Sequence, residues 1–227
     1  MLHDFFEYIV NKHGVPKKVV PLTEKDLLEL EHILPDHLVE FYRTFGSCSL
    51  RGGLLQICRP KDLQGIIKLI FDSDPDLNHE KSHAFAYTPF GDIYYFNEQY
   101  GCGSIELLNG NVFNYNLTIP SEISTSIDNT VFMPFSLSDE SLDFTDDKGK
   151  RLFSRAKKLY GELDSLECYG FVPALALADE PDIKSIRRLK APEYFGIIAQ
   201  LQNFELIEIL DMGRTKAVRQ IGNSASQ

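Results

Sequence analysis

The residues whose types and spacing could do chemistry are a pair of histidines, four cysteines and an excess of carboxylates. His79 and His83 stand at i, i+4 in "NHEKSHAF", a spacing that would put two imidazoles on one helix face for a metal ion. The segment lacks the H-E-x-x-H order and a nearby third ligand, and it runs into a strand pattern, so neither a metal site nor a cofactor is expected. His32 and His37 straddle Pro35 and read as helix-end residues. Cys48, Cys58, Cys102 and Cys168 occur singly, without a C-x-x-C pair. A cysteine nucleophile would need a histidine delivered by the fold. Spacing does not exclude that, but a buried thiol is the simpler reading for each. "RGGLLQI" lacks the Lys-Ser/Thr end of a phosphate loop, "GCGSIE" lacks the third glycine of a dinucleotide turn, and no G-x-S-x-G elbow occurs.

The carboxylates are the stronger signal. The formal net charge of −10 is uneven: residues 72–147 hold fourteen acidic residues and one basic, Lys81, a balance of −13. Residues 1–71 balance to zero and residues 148–227 carry +3. Such a field repels nucleic acid and favours a basic partner, through steering and complementary contacts. The plainer reading is a solvated face. "KGKRLFSRAKKLYG" offers Lys148, Lys150, Arg151, Arg155, Lys157 and Lys158, and a helix this basic could lie against phosphates. The adjoining acidic segment and a pI near 5.1 make an intramolecular match the more economical use, and the helix could also help to form a homodimer.

At 227 residues the chain fits one large domain or two small ones. A hydrophobic fraction of 43% with 25% charged residues describes an ordinary globular protein with a sizeable core. No apolar run approaches the ~18 residues of a membrane span. Asp4 and Glu7 interrupt the first apolar segment, unlike a signal peptide. Isolated thiols suit a reducing cytosol, so a cytoplasmic location is expected and the sequon at Asn116 reads as incidental.

The elements that must position these groups are mixed. "DFFEYIVNKHG" has helical spacing and ends on Gly14, and "PLTEKDLLELEHILPDHLVEFYRTFG" reads as two short helices, the first capped by Thr23 and the second opened by Pro35 and closed by Gly46. "GGLLQICRP" reads as a strand and "KDLQGIIKLIF" as a helix. From Ala84, aromatic and β-branched residues alternate between the turn signals "FGD", "YGCG" and "NGN", which predicts an antiparallel meander. Gly91 and Asp92 fall where the first hairpin reverses, so a turn role is the better reading for Asp92. "DDKGKRLFSRAKKLYGELDSL" reads as a basic-faced helix, "ECYGFVPALAL" and "DIKSIRRLKA" as strands, "PEYFGIIAQL" as a helix and "FELIEIL" as a last strand. The chain from Gly213 is small and polar and is expected to fray. The fold class is therefore α+β: an antiparallel meander with flanking helices over residues 1–138, a smaller C-terminal α/β lobe over 139–211 and a polar tail over 212–227.

"LPDHLVEFYRTFGSCSLRGGLLQICRPKDLQGII" and "PFGDIYYF" resemble the GAD-like domain family, in which a Leu-Pro helix start leads to a strand, an "NP"-like step and a helix, and an "FGD" precedes an aromatic strand. The step here is Arg59-Pro60, a departure from that pattern. "FVPALALADEPDIKSIRRLKAPEYFGIIAQL" is similar to the small domain that commonly follows it. The resemblance implies an immunity protein that neutralises a toxin of a type VI secretion system, often a DNase, by stoichiometric binding and without catalysis. Under that implication the partner contacts are Asp72, Asp74 and Asp76 in "FDSDPD" and Asp139, Glu140, Asp143, Asp146 and Asp147 in "SDESLDFTDD", carried by loops that can reach a partner without disturbing the core. Tyr94, Tyr95, Tyr100 and Tyr115 are the candidate aromatic anchors, Tyr94 and Tyr100 first, since hot spots concentrate in such residues, but alternate strand side chains must face the core, so a structural role is the commoner reading for any one of them. Helix capping is an equal reading for Asp146 and Asp147. Two other readings stay open: a regulatory binding module with a non-toxic partner, and an enzyme using an unrecognised site.

Overall fold

The computed structural model describes residues 2–119, 126–177, 181–210 and 213–222. Helix α1 (Asp4–His13) buries Phe6 and Ile9 and stops at Gly14. Strand β1 (Lys17–Val20) follows, then α2 (Glu24–Leu30) and α3 (Asp36–Phe45). Thr23 caps α2: its hydroxyl accepts the Asp26 amide at 3.1 Å, and the Asp26 carboxylate accepts the Thr23 amide at 3.2 Å. Gly46 ends α3 at φ 66°, and a Cβ there would lie 2.2 Å from the Val20 carbonyl oxygen, so β1 can pass only a glycine.

Strands β2 (Ser47–Leu50) and β3 (Leu55–Ile57) lead into α4 (Pro60–Phe71). The Arg59-Pro60 step still caps α4, because the Asp62 carboxylate takes the Arg59 amide at 3.0 Å and the guanidinium at 2.7 Å. The meander is as expected: β4 (Ser82–Tyr87), β5 (Asp92–Asn97), β6 (Gly101–Glu106) and β7 (Asn111–Phe113), each antiparallel to the next. Three short helices, α5 (Tyr115–Thr118), α6 (Met133–Ser136) and α7 (Asp139–Leu142), precede α8 (Phe153–Tyr160). Strands β8 (Glu167–Phe171) and β9 (Ile186–Lys190) pair as a separate two-stranded sheet. Helix α9 (Ala191–Leu201) and strands β10 (Glu205–Ile209) and β11 (Thr215–Gln220) complete the chain.

The architecture is mixed α+β. Nine strands form one sheet in the order β1-β2-β3-β4-β5-β6-β7-β10-β11, antiparallel throughout except for the parallel β7–β10 pair. One face packs Tyr94 and Phe96 against α1 to α3, the 127–144 segment and α8. The other packs Ile93 and Tyr95 against α4 and α9. The smaller sheet docks through the first hairpin: the Tyr169 amide donates to the Pro89 carbonyl at 2.8 Å, and the Phe90 ring lies about 6 Å from Tyr169 and Phe171.

Two expectations change. The helix read across residues 146–166 shortens to α8, because residues 145–151 fold into their own turn, with the Asp146 carboxylate accepting the amides of Lys148 and Lys150 at 3.1 and 2.8 Å. Part of the stretch read as a fraying tail, Thr215–Gln220, is strand β11, paired antiparallel with β10, and residues 223–227 lie outside the described residues. Arg219 of β11 reaches back to Asp74 at 2.6 Å and Asp76 at 2.6 Å. Polar composition concealed the strand because its side chains sit at an exposed sheet edge while the backbone supplies the pairing.

Burial pushes the Asp74 carboxyl up, but Arg219 and the amides of Leu77 and Gly222 outweigh it and hold the group below the usual carboxylate range. A carboxylate held low stabilises the fold above its unfolded pKa of about 4 and loses that contribution as pH falls. Arg219→Ala should therefore cost roughly 2–3 kcal/mol at pH 7 by stranding a buried carboxylate, and the difference from the parent chain should shrink toward pH 3. Urea unfolding at both pH values measures it, and an equal loss at each would refute the ion-pair account.

Candidate functional site

The acidic residues sort into distinct environments. Asp72 and Asp147 are exposed, as are Asp139 and Glu140 on α7. Asp139 pairs with Arg51, whose guanidinium also donates to the Leu137 carbonyl at 2.6 Å. Asp74, only 6% exposed, is fixed by Arg219, and Asp76 shares that arginine. Asp143 accepts the amides of Phe144 at 2.7 Å and Phe153 at 2.9 Å, the second of which starts α8. Asp146 pairs with Arg155 at 2.6 Å. That pair is the intramolecular match foreseen for the basic helix.

Three expected partner contacts are thereby corrected: Asp74, Asp143 and Asp146 are not free loop carboxylates. Each replaces lost water with amides or guanidinium, the condition for burying a charge. Asp146 holds a turn and Asp143, not Asp146 or Asp147, serves the first turn of α8. Tyr100 is half-buried, packs toward the α4 and α9 face, and accepts a hydrogen bond from Gln99 at 3.0 Å. Tyr94 is 3% exposed and is a core residue rather than a surface anchor, yet its other side lines a cavity.

That cavity, of about 820 Å³, opens beside α7. Its floor is the face of β5 to β7 that carries Asp92, Tyr94, Ser104 and Glu106, and its walls include Phe113, Phe132, Met133 and Leu137. Strand alternation explains the floor: with Asp92 opposite Glu106 and Tyr94 opposite Ser104, all four share one face. Asp92 does close the hairpin, its amide donating to the Thr88 hydroxyl at 3.0 Å and its carbonyl accepting the Thr88 amide at 2.8 Å. Its carboxylate, however, looks into the cavity. Burial first and Glu106 second push it up to about 7, against a hydrogen bond from the Thr88 hydroxyl. Glu106 receives Asn109 and Asn111 amide groups on one oxygen, at 3.0 and 2.9 Å.

The remaining chemical groups are structural. All four cysteines are free and buried, and burial pushes every thiol up. His83 lies in β4 with its ring nitrogen 3.1 Å from Glu98. Among the described residues no group of three His, Cys, Asp or Glu side chains could hold a metal ion. No helix there is long and apolar enough to cross a membrane. The sequence reading did not single out Glu106, and it gave Asp92 only its turn. The signal available was the hairpin centre near Gln99, which sets Asp92 against Glu106.

This fold is shared with a solved structure, the crystal structure of Atu4351 from Agrobacterium tumefaciens, at 26% identity and a TM-score of 0.88, over 96% of this chain and 98% of that one. Residues 4–109 match the GAD-like domain family, and residues 132–202 match the family of the C-terminal domain of the T6SS immunity protein Tdi1. The chain thus joins a stretch similar to the GAD-like domain to one similar to the Tdi1 C-terminal domain, and the second match supports an immunity role. No curated protein matches the chain.

A carboxylate raised in the fold keeps its proton there while the unfolded chain has lost it, so the native state is progressively penalised as pH rises from about 4 to about 7. Asp92→Asn should remove that penalty, raising stability by roughly 1–2 kcal/mol at pH 8 and leaving it unchanged near pH 4. Carboxyl ¹³C titration of Asp92 and unfolding at the two pH values check this. A midpoint near 4 would show that the cavity leaves the group solvated.

Proposed function

We propose that this protein binds a cognate antibacterial toxin one to one and silences it without catalysis, and that the toxin is a basic nuclease acting on DNA. The observation that carries the reading is the acidic excess of residues 72–147, whose exposed members Asp139, Glu140 and Asp147 stand on and after α7 near an open cavity. A nuclease must present cations to the phosphate backbone. An acidic folded partner can occupy that surface and exclude DNA, with steering that speeds capture. The match to the Tdi1 C-terminal domain supports neutralisation as the outcome. In this reading the protein acts in the cytoplasm, where the DNA is, with the toxin as partner rather than nucleic acid or a membrane.

The contact set is narrower than the acidic count suggests. Asp74, Asp143 and Asp146 are committed to the fold, which leaves Asp72, Glu140 and Asp147 for a partner, with Asp76 shared with Arg219 and Asp139 with Arg51. Asp72, Glu140 and Asp147 form no ion pair among the described residues, so their charge is uncompensated by a direct partner.

Co-purification from the native host, followed by calorimetry and a DNA-degradation assay, should yield a toxic nuclease bound one to one and silenced at equimolar ratio. Glu140→Gln with Asp147→Asn should slow association about fivefold and flatten its salt dependence, with the unfolding midpoint unchanged. Unaltered binding by the folded double variant would remove this segment from the contact. A non-toxic partner would favour the regulatory-module reading instead.

A further inference from the structure

The floor of the cavity holds an arrangement that folding alone does not explain. Asp92 and Glu106 are direct cross-strand neighbours on one face, and like charges in that position destabilise a sheet. Among the described residues neither forms an ion pair with a lysine or arginine; their donors are the neutral groups of Thr88, Asn109 and Asn111. The nearby cation, Arg51, is engaged by Asp139 and the Leu137 carbonyl. Tyr94, next along the same face and 3% exposed, lines the cavity, and its hydroxyl has no hydrogen-bond partner among the described residues. That hydroxyl faces the cavity and is open to a hydrogen bond from a ligand.

We propose that this cavity seats an arginine-bearing apolar segment of the toxin, with the guanidinium between Asp92 and Glu106 and the flanking apolar side chains against Phe132 and Met133. The inference rests on the immunity reading above. Three acceptor groups on one floor ask for a ligand with positive charge and several N–H donors. Guanidinium has five donors in a planar fork and is less strongly hydrated than ammonium, so it enters a half-buried site at lower cost. A volume of about 820 Å³ lies at the upper end of ligand sites and leaves room for residues on either side of the arginine. The balance of −13 over residues 72–147 draws a basic segment toward the opening.

Octylguanidinium, with octylurea as its neutral counterpart, probes the seat in the full chain at pH 8, where Asp92 is ionised. Calorimetry should give binding at least tenfold tighter for octylguanidinium, with amide shift changes in NMR centred on β5 and β6. Asp92→Asn with Glu106→Gln should weaken it at least tenfold. Tyr94→Phe, which keeps the ring and its packing, should weaken it about threefold. The double variant should lose at least tenfold in affinity for the co-purified toxin, and octylguanidinium should compete with that toxin. No binding of the probe, or equal binding of octylurea, overturns the proposal. Full toxin affinity in the folded double variant overturns it while leaving the immunity reading in place. A parent chain that binds no toxin overturns both.

Discussion

The meander β4 to β6 is buried on both faces, and that constraint decides the placement of everything else. A strand covered on one side can put polar groups in water; here each alternate side chain must find a layer. Ile93 and Tyr95 go to α4 and α9, while Tyr94 and Phe96 go to the helices of the other face. Tyr42 shows how tightly the layers are joined: its buried hydroxyl donates to the carbonyls of Cys58 and Phe85, tying α3 to the residues flanking β3 and within β4. Where the second face is left partly open, over the ends of β5 and β6, the same alternation delivers Asp92 and Glu106 to a cavity instead of a core.

The two matched ranges meet at the first hairpin, and the segments that follow each of them meet in one strand pair. Phe90 of the "FGD" motif stacks near Tyr169 and Phe171, the Tyr87 hydroxyl donates to the Glu167 carbonyl at 3.3 Å, and β10 pairs in parallel with β7. The motif therefore serves both as a turn and as a joint. The C-terminal strands extend the sheet begun by the GAD-like segment, so the two parts share hydrogen bonds as well as apolar contact. A contact made on α7, inside the second matched range, lies against both the sheet and α8.

Charge is handled by the same rule throughout. Carboxylates that lose water gain amides or arginine, as Asp74, Asp143 and Asp146 do, and those without such partners stay exposed. Asp92 and Glu106 depart from this rule: they face each other across β5 and β6 with neutral donors only. That exception is what separates the cavity from an ordinary packing gap.

The sequence by itself determined the meander, the helix caps at Thr23 and Gly46, the buried thiols and the acidic middle third, because each is local: periodicity, turn chemistry and composition act over a few residues. The family resemblance rested on the same short stretches, "FGD" above all. Tertiary structure alone decided that the residues after Gly213 pair as β11, that α8 begins at Phe153, and which acidic residues remain available. Those outcomes depend on partners distant in the chain, Asp74 with Arg219 and β7 with β10, whose pairing depends on position in space and leaves no mark on the spacing of neighbours. The role of Asp92 divides along the same line: its turn was readable from "FGD", whereas the cavity before its carboxylate exists only once residues 127–141 fold over the sheet.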